Sequence, residues 1–320
     1  MNIDSLVKDI GRSFLISSFL PSAFFVSAAA VIFKDVFPNN LFKNSPISAE
    51  WAFAILTIWI AFALYSLLPG TKNLFQGYYL PSWISRIMIK SLQKLHKKQK
   101  INLDEFNKIK RRRRTNRMFK SLQKYRAQAW AEYVNLEFRF PIDEKFLLPT
   151  RFGNLMRSCL IYPQYRYNIN GDVVWPRLVN VLPKEFVGEK DDAEAQLIFL
   201  LNSSLLSYVI GLIAIIIGIA FKPVNHQYLI IGTLFLFFGY FIYRLTLSAG
   251  ETFILYVRAA FDLYRFELLK QLRIDLPKSR KEEQDIWGKI SELLAVGDDL
   301  GLAPISVEYC DDQLPKDTNK

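Results

Sequence analysis

Histidine and cysteine are scarce in this chain of 320 residues, which contains two of each. Protein-built transition-metal sites draw heavily on these residue types, so the sequence predicts no metal site. The chain also contains no GxxxxGK[ST], GxGxxG, GxSxG or HExxH motif, the patterns that commonly mark nucleotide, nucleophile and zinc sites. We therefore predict no cofactor and no catalytic residue, and these absences favour a protein that is not an enzyme.

Aspartate, glutamate and lysine are absent from four apolar runs, which cover residues 13–33, 51–68, 205–221 and 228–247. A helix rises ~1.5 Å per residue, so about 20 residues cross the ~30 Å hydrocarbon core of a bilayer. Each run therefore predicts a membrane-spanning helix. The alanines at 28–30 resemble a signal-peptidase site, but the first run continues to Phe33, which favours a retained anchor over a cleaved leader.

The basic residues lie mostly on one side of the predicted spans, in a chain whose net charge is +11. The short loops 34–50 and 222–227 hold three lysines and no arginine, whereas residues 69–204 hold 25 basic residues and the tail after the fourth span holds ten. Because basic segments stay in the cytoplasm, both termini and the long central segment are expected there. The predicted location is the plasma membrane.

These patterns predict an all-α integral membrane protein with four transmembrane helices and a mostly helical cytoplasmic domain. The helical pattern continues from the third and fourth spans into the cytoplasm, which predicts a long helical hairpin stalk. Ser279 followed by Glu282 is a capping-box pattern, predicting a helix to about Val296. The predicted segments are an N-terminal transmembrane hairpin (1–70), basic cytoplasmic helices (71–140), a cytoplasmic segment leading into the third span (141–200), a C-terminal transmembrane hairpin (201–250), cytoplasmic helices (251–297) and an acidic flexible tail (298–320).

A cluster of positive charge lies between residues 108 and 126. A juxtamembrane cluster of this kind is attracted to anionic lipid and also helps to set topology. An acidic protein partner or a phosphorylated ligand is the next alternative, and nucleic acid is disfavoured because no stacking aromatics are interleaved with the charges. The residues predicted to contact lipid or a partner are Arg111, Arg112, Arg113, Arg114, Arg117 and Lys120.

The segment 141–190 has a composition of its own. It contains LPTRFGNLMR at 148–157 and YRYNINGDVVWPRL at 165–178. These elements resemble a segment of uncharacterised bacterial four-span membrane proteins, in which similar LPTR-GN and WPRL elements lie between the second and third spans. The resemblance extends more loosely through RAAFDLYRFELLKQL at 258–272. It implies a four-span architecture and a bacterial origin, and it carries no catalytic residues.

The same segment offers candidate ligand-binding residues, namely Arg151, Asn154, Arg166 and Arg177. Guanidinium groups bind carboxylate or phosphate through two parallel hydrogen bonds and also stack on aromatic rings. An anionic small molecule or a cytoplasmic protein is the partner that this chemistry favours. Structural packing of the arginines against neighbouring aromatics is the alternative, and it is favoured over a binding site.

Small residues recur on the third and fourth apolar runs. Lipid supplies no hydrophobic force between helices, so close backbone approach must hold them together. We predict that these residues face other helices, within the hairpin or in another copy of a homo-oligomer. They are Ser207, Gly211, Gly218, Gly232 and Gly239.

A stripe of charged residues follows the fourth run at seven-residue spacing and includes Arg258 and Arg265, with Asp262 one turn from Arg258. Such a stripe forms either an ion-paired seam or a solvated face, and the pattern alone favours the solvated face.

The sequence favours an oligomeric membrane protein whose cytoplasmic domain senses a ligand or partner and whose spans respond. A pore-forming or membrane-perturbing effector, for example in defence against phage, fits this layout by analogy of fold. A membrane-anchored adaptor that recruits proteins through its basic cluster and acidic tail is the alternative. The third hypothesis, an enzyme with an unfamiliar site around Arg151, Asn154, Arg166, Asp172 and Arg177, has the least support.

Overall fold

The computed structural model describes residues 11–34, 36, 48–94, 97, 137–220 and 225–296. Within these ranges the protein is all-helical and contains no strand, as the sequence predicts. The basic cluster at 108–126 and the acidic tail at 298–320 lie outside the described residues.

The chain divides into two compact units. The first unit comprises Met1–Arg86, Pro149–Gly153 and Asp191–Phe253. The second unit comprises Ile87–Leu148, Asn154–Lys190 and Ile254–Lys320. The first holds the predicted membrane spans, and the second holds most of the segment between the second and third spans together with the chain after the fourth.

The first helix, α1, changes its hydrogen-bonding pattern along its length. It begins with an α-helical turn, Arg12–Phe14, continues as a π-helical segment, Leu15–Phe19, and ends as an α-helix, Leu20–Ile32. Pro21 is the cause that the sequence supplies, because proline has no N–H to donate to the carbonyl four residues earlier. That carbonyl belongs to Ser17, inside the π-helical segment.

The second apolar run forms a bent pair of helices. Helix α2, Ala49–Ser66, is capped by the Ser48 hydroxyl, and α3, Leu68–Gln76, follows at once with a bend of 62°. The single straight span predicted at 51–68 is therefore wrong at its end. Pro69 does stop α2, but it also occupies the first turn of α3, where a missing N–H has no cost.

Further along the chain, residues 82–94 form α4. Helix α5, Arg151–Tyr167, begins where the Thr150 hydroxyl accepts a hydrogen bond from the Gly153 N–H at 2.9 Å. Helix α6, Gly171–Leu178, follows it. Two single 3₁₀ turns accompany these helices, Glu144–Phe146 and Val179–Val181.

Two long helices belong to both units. Helix α7 is Lys184–Ala220 and helix α8 is the 46-residue segment His226–Gln271, close to the continuous helices that the sequence predicts. Helix α9, Arg280–Val296, is opened by the predicted capping box, in which the Ser279 hydroxyl accepts from the Glu282 N–H at 3.2 Å.

In the described ranges, three helical segments are long and apolar enough to cross a membrane: Leu15–Ile32, Lys184–Ala220 and His226–Gln271. The bent pair of α2 and α3 adds a fourth if the pair counts as one span, and it is otherwise a re-entrant segment. These lengths and compositions are consistent with a membrane protein, while the four-span topology stays a prediction.

Candidate functional site

The four predicted ligand-binding residues do not share one location. Arg151 is exposed at the start of α5 and belongs to the first unit, whereas the other three belong to the second. Asn154 is fully buried, and its amide bonds both the N–H and the C=O of Leu148, at 2.8 and 2.7 Å. Such pairing holds a loop in place, so the contacts of Asn154 in the structure are those of a structural residue.

Arg166 and Arg177 are both exposed, but they line different depressions of the second unit. Arg177 donates to the Val173 carbonyl within its own helix at 2.6 Å. Arg166 lies at the edge of another pocket, with its guanidinium carbon 5.4 Å from the centre of the Tyr162 ring. Of the candidates, Arg166 is the one that the structure brings to a cavity with further functional groups.

The pocket has a volume of about 500 Å³, within the range of about 300–1,000 Å³ typical of small-molecule sites. Its walls come from three parts of the second unit, namely residues 137–142, helix α5 and the C-terminal part of α8. One side is apolar, and the other side carries charged and phenolic groups. We call this cavity the Arg258 pocket. The lining includes Phe138, Ile142, Tyr162, Arg166, Arg258 and Asp262.

Arg258 is the central group of this pocket. Its guanidinium carbon lies 4.6 Å from the centre of the Phe138 ring and 4.7 Å from that of Tyr162. Its Nη2 donates to the Phe138 carbonyl at 3.2 Å and to the Ser158 hydroxyl at 3.3 Å, with longer contacts to the Glu137 and Ser158 carbonyls. All these acceptors are uncharged oxygens, so the hydrogen bonds orient the guanidinium without neutralising it. Its Nε is buried and has no hydrogen-bond partner.

Asp262, one helical turn after Arg258, anchors two tyrosines. The Tyr162 hydroxyl lies 2.9 Å from both carboxylate oxygens, and the Tyr167 hydroxyl donates to Oδ1 at 2.6 Å. Charge-assisted hydrogen bonds of this length are among the stronger ones in proteins. The carboxylate therefore fixes the two phenol rings, one of which forms a wall of the pocket.

Burial shifts the pKa values of several groups around the pocket. Desolvation lowers the pKa of Arg258 from its ordinary value, and neighbouring negative groups oppose that shift. Desolvation and the hydrogen bond to Asp262 raise the pKa values of Tyr162 and Tyr167. Near neutral pH both phenols are consequently protonated hydrogen-bond donors, and neither is prepared to act as a base.

Arg265 forms a second buried cluster, one turn beyond Asp262. Its Nε donates to the Glu283 carboxylate at 2.6 Å, and both side chains are little exposed, 13% and 10%. The guanidinium also lies over the Tyr167 and Phe266 rings, at 4.1 and 4.3 Å from their centres. This ion pair attaches α9 to α8 within the second unit.

Sequence reasoning missed the importance of Arg258, Asp262 and Arg265. The interpretation of their stripe as a solvated face is wrong for both arginines, because aromatic rings and hydrogen-bond acceptors cover them. The available signal was the spacing itself, since arginines seven residues apart with an aspartate one turn away lie on one side of a helix. That signal could not identify the rings and acceptors on the facing segments.

The small residues of the third and fourth runs lie where α7 and α8 contact each other in the first unit. A Cβ added to Gly211 would lie 2.9 Å from the Gly232 carbonyl oxygen, and one added to Gly232 would lie 2.7 Å from that of Gly211. One added to Gly239 would lie 3.2 Å from the Ser207 Cβ, and one added to Gly218 would lie 3.1 Å from a backbone oxygen of the turn between the helices. At Gly211 and Gly232 the backbones are so close that any Cβ would force a shift, and at Gly218 and Gly239 a Cβ would be tightly packed, while a role in contacts between copies stays a prediction.

Polar side chains are buried between the same helices and α1. The Asn202 amide donates to the Ser17 carbonyl at 2.8 Å. Pro21 cannot donate a hydrogen bond to that carbonyl, because proline has no N–H. Asn202 Oδ1 is buried and has no hydrogen-bond partner, and the Ser204 hydroxyl donates to the Gly239 carbonyl at 2.9 Å. Asn202 therefore stabilises the π-helical segment of α1.

The residues predicted to contact lipid or a partner belong to the basic cluster. Arg111 to Arg114, Arg117 and Lys120 lie outside the described residues. Within the part of the chain that the structure describes, no cluster of His, Cys, Asp and Glu has the arrangement of a metal site.

No family model, no curated protein and no solved structure matches this chain. The resemblance to bacterial four-span proteins rests mainly on the LPTR-GN and WPRL elements. In the structure these elements contribute to α5 and α6.

Proposed function

We propose that this protein is an oligomeric integral membrane protein of the bacterial inner membrane, whose cytoplasmic unit binds a ligand and whose spans respond to it. The observation that carries the proposal is the course of α8. This helix belongs to the first unit up to Phe253, where it is largely apolar, and to the second unit from Ile254. Arg258 and Asp262, the central groups of the pocket, lie on it within three turns of the boundary.

Large apolar side chains on the predicted spans support membrane insertion. Trp59 on α2, Ile216 on α7 and Phe237 on α8 are 71%, 65% and 69% exposed. In water, an apolar surface repeated along several helices would drive aggregation. In a bilayer the same surface contacts lipid or another copy of the chain, and neither contact has that cost.

A continuous helix gives a physical route from the pocket to the spans. A ligand that binds one rotational or translational position of α8 better than another shifts the population towards that position. Because hydrogen bonds stiffen the helix along its whole length, a shift at Arg258 is transmitted to the apolar part of the same helix. The response that we propose is a pathway for ions between the spans of several copies.

The test uses the full-length protein purified in detergent. Its mass is measured first, and potassium efflux from liposomes is then recorded with and without the small-molecule fraction released by heating the same protein. We expect an oligomer whose efflux changes when that fraction is added. A monomer, or an oligomer that leaves the liposomes tight under both conditions, contradicts the proposal.

The adaptor hypothesis depends on the basic cluster and the acidic tail. Both lie outside the described residues, so no contact in the structure favours it. The efflux measurement also separates the two functions, because an adaptor that only recruits proteins predicts no potassium efflux.

A further inference from the structure

We infer that the Arg258 pocket binds an organic anion, a phosphate or carboxylate attached to an apolar body. The inference deepens the proposed function and rests on it, since it names the chemical class of the ligand that the cytoplasmic unit receives. Its negatively charged group is held between Arg166 and Arg258, and its body lies against the apolar wall.

The first argument is the proximity of two positive charges. Arg166 and Arg258 both have their guanidinium carbons within 5.4 Å of the centre of the same Tyr162 ring. Two cations on one ring repel each other, and the partly buried Arg258 is screened less than a surface charge would be. An anion bound between them removes that repulsion and can take two parallel hydrogen bonds from a guanidinium.

Two carboxylates, those of Glu137 and Asp262, also line the pocket and act on Arg258, so the preference for an anion rests on where the groups are placed and not on the net charge of the pocket. Asp262 already accepts three hydrogen-bond contacts from two phenols, which disperse its charge. The faces of Phe138 and Tyr162, which a cationic ligand would use, already carry the guanidinium of Arg258. A cation would therefore have to displace a protein group, whereas an anion would not.

The second argument is the apolar wall. Pro141, Ile142, Leu255 and Ala259 line the pocket together with Phe138 and Phe140. A cavity of about 500 Å³ is much larger than an inorganic anion needs. Burying apolar ligand surface against this wall is favourable, so a ligand with an apolar body gains affinity that a bare ion cannot.

Calorimetry on the full-length protein in detergent tests the inference with four defined probes. Phenyl phosphate and benzoate combine an anionic group with an apolar ring, inorganic phosphate has only the charge, and benzyl alcohol has only the ring. We expect at least one of the first two to bind at least tenfold more tightly than inorganic phosphate or benzyl alcohol. Failure of both ring-bearing anions, or equal binding of either single-feature probe, overturns the inference.

A pair of arginine variants locates the site. Arg166→Gln should weaken binding of the ring-bearing anion at least tenfold while the melting temperature stays nearly unchanged, because Arg166 is exposed. Arg177→Gln is the matched control: an exposed arginine of the same unit, which lines a different depression. Unchanged affinity in Arg166→Gln, or an equal loss in both variants, rejects the Arg258 pocket as the site.

The two proposals fail separately. Efflux that responds to the heat-released fraction, without binding of either ring-bearing anion, removes the inference and leaves the proposed function. Binding of a ring-bearing anion that is lost in Arg166→Gln, in a protein whose liposomes stay tight, removes the proposed function and leaves the binding site.

Discussion

Replacing Glu283 by glutamine should release α9 from the second unit. The variant keeps the size of the side chain and removes its charge, which deprives Arg265 of this ion pair. In the unchanged protein the Glu283 carboxylate lies 2.6 Å from Arg265 Nε, and the two side chains are only 10% and 13% exposed. Removing one partner of a buried ion pair costs about 3–5 kcal/mol, and the lower end applies because glutamine can still accept a hydrogen bond.

A loss of about 3 kcal/mol corresponds to about a hundredfold increase in the opening equilibrium, since 1.4 kcal/mol is tenfold. Hydrogen–deuterium exchange of the peptide covering residues 280–296 measures this opening locally. A local measurement is needed because a chain of two units need not unfold in a single transition. We expect exchange of this peptide to accelerate about a hundredfold relative to the unchanged protein.

Glu267→Gln is the matched control on the same helix as Arg265. Glu267 pairs with Lys270 at 2.8 Å, but the side chains are 51% and 55% exposed. Exposed pairs contribute about 0–1 kcal/mol, so exchange of the α9 peptide should change less than about fivefold. The reasoning is refuted if Glu283→Gln leaves the α9 peptide protected, or if the control accelerates its exchange equally.

Three further predictions concern the helices of both units. Gly211→Leu should disrupt assembly on size-exclusion chromatography, because even the Cβ of the new side chain would lie 2.9 Å from a carbonyl of the facing helix. Ile216→Leu, at a 65% exposed position, should assemble normally, and equal elution of the two variants would reject this packing surface. Asn202→Leu leaves the Ser17 carbonyl without its amide donor, so the free energy of unfolding should fall by about 1–3 kcal/mol, and an unchanged melting temperature would contradict the role assigned to Asn202. Burial raises the pKa of Cys159 from 9.0 to about 12, so iodoacetamide at pH 8 should modify this thiol far more slowly in the folded than in the unfolded protein, and equal alkylation rates would show that the thiol is accessible. Because the folded state keeps the thiol protonated to higher pH, the stability that this shift contributes is present below pH 9 and declines as pH rises towards 12.

Local patterns predicted much of the helical structure. Apolar length identified α1, α2, α7 and α8 because a membrane helix must be long and largely uncharged. Capping chemistry located the start of α9, because the Ser279 hydroxyl satisfies an N–H group only a few residues away. Each of these signals is local in sequence, so one chain is sufficient to detect it.

Of the candidate site, Arg166 was predicted as a ligand-binding residue, but its assembly with the other groups was not, because they are distant in sequence. Arg258 meets carbonyls of residues 137 and 138 and the ring of Tyr162, about 100 to 120 residues away in the chain. A helical periodicity gives the side of α8 on which Arg258 lies, but it does not give what packs on that side. The bend after Ser66 was missed for a related reason, since Pro69 ends one helix and begins another equally well.

Accessibility of single cysteines in intact spheroplasts tests the central claim, that the spans hold the second unit in the cytoplasm. Native Cys159 cannot report on this, because its burial alone would protect it on either side of the membrane. Cysteine is therefore placed at two exposed positions, Gln227 at the start of α8 and Glu185 at the start of α7, in a chain with both native cysteines replaced. The account predicts that a membrane-impermeant maleimide labels Gln227→Cys in intact spheroplasts and Glu185→Cys only after permeabilisation. Labelling of Glu185→Cys in intact spheroplasts, or protection of Gln227→Cys there, would contradict it.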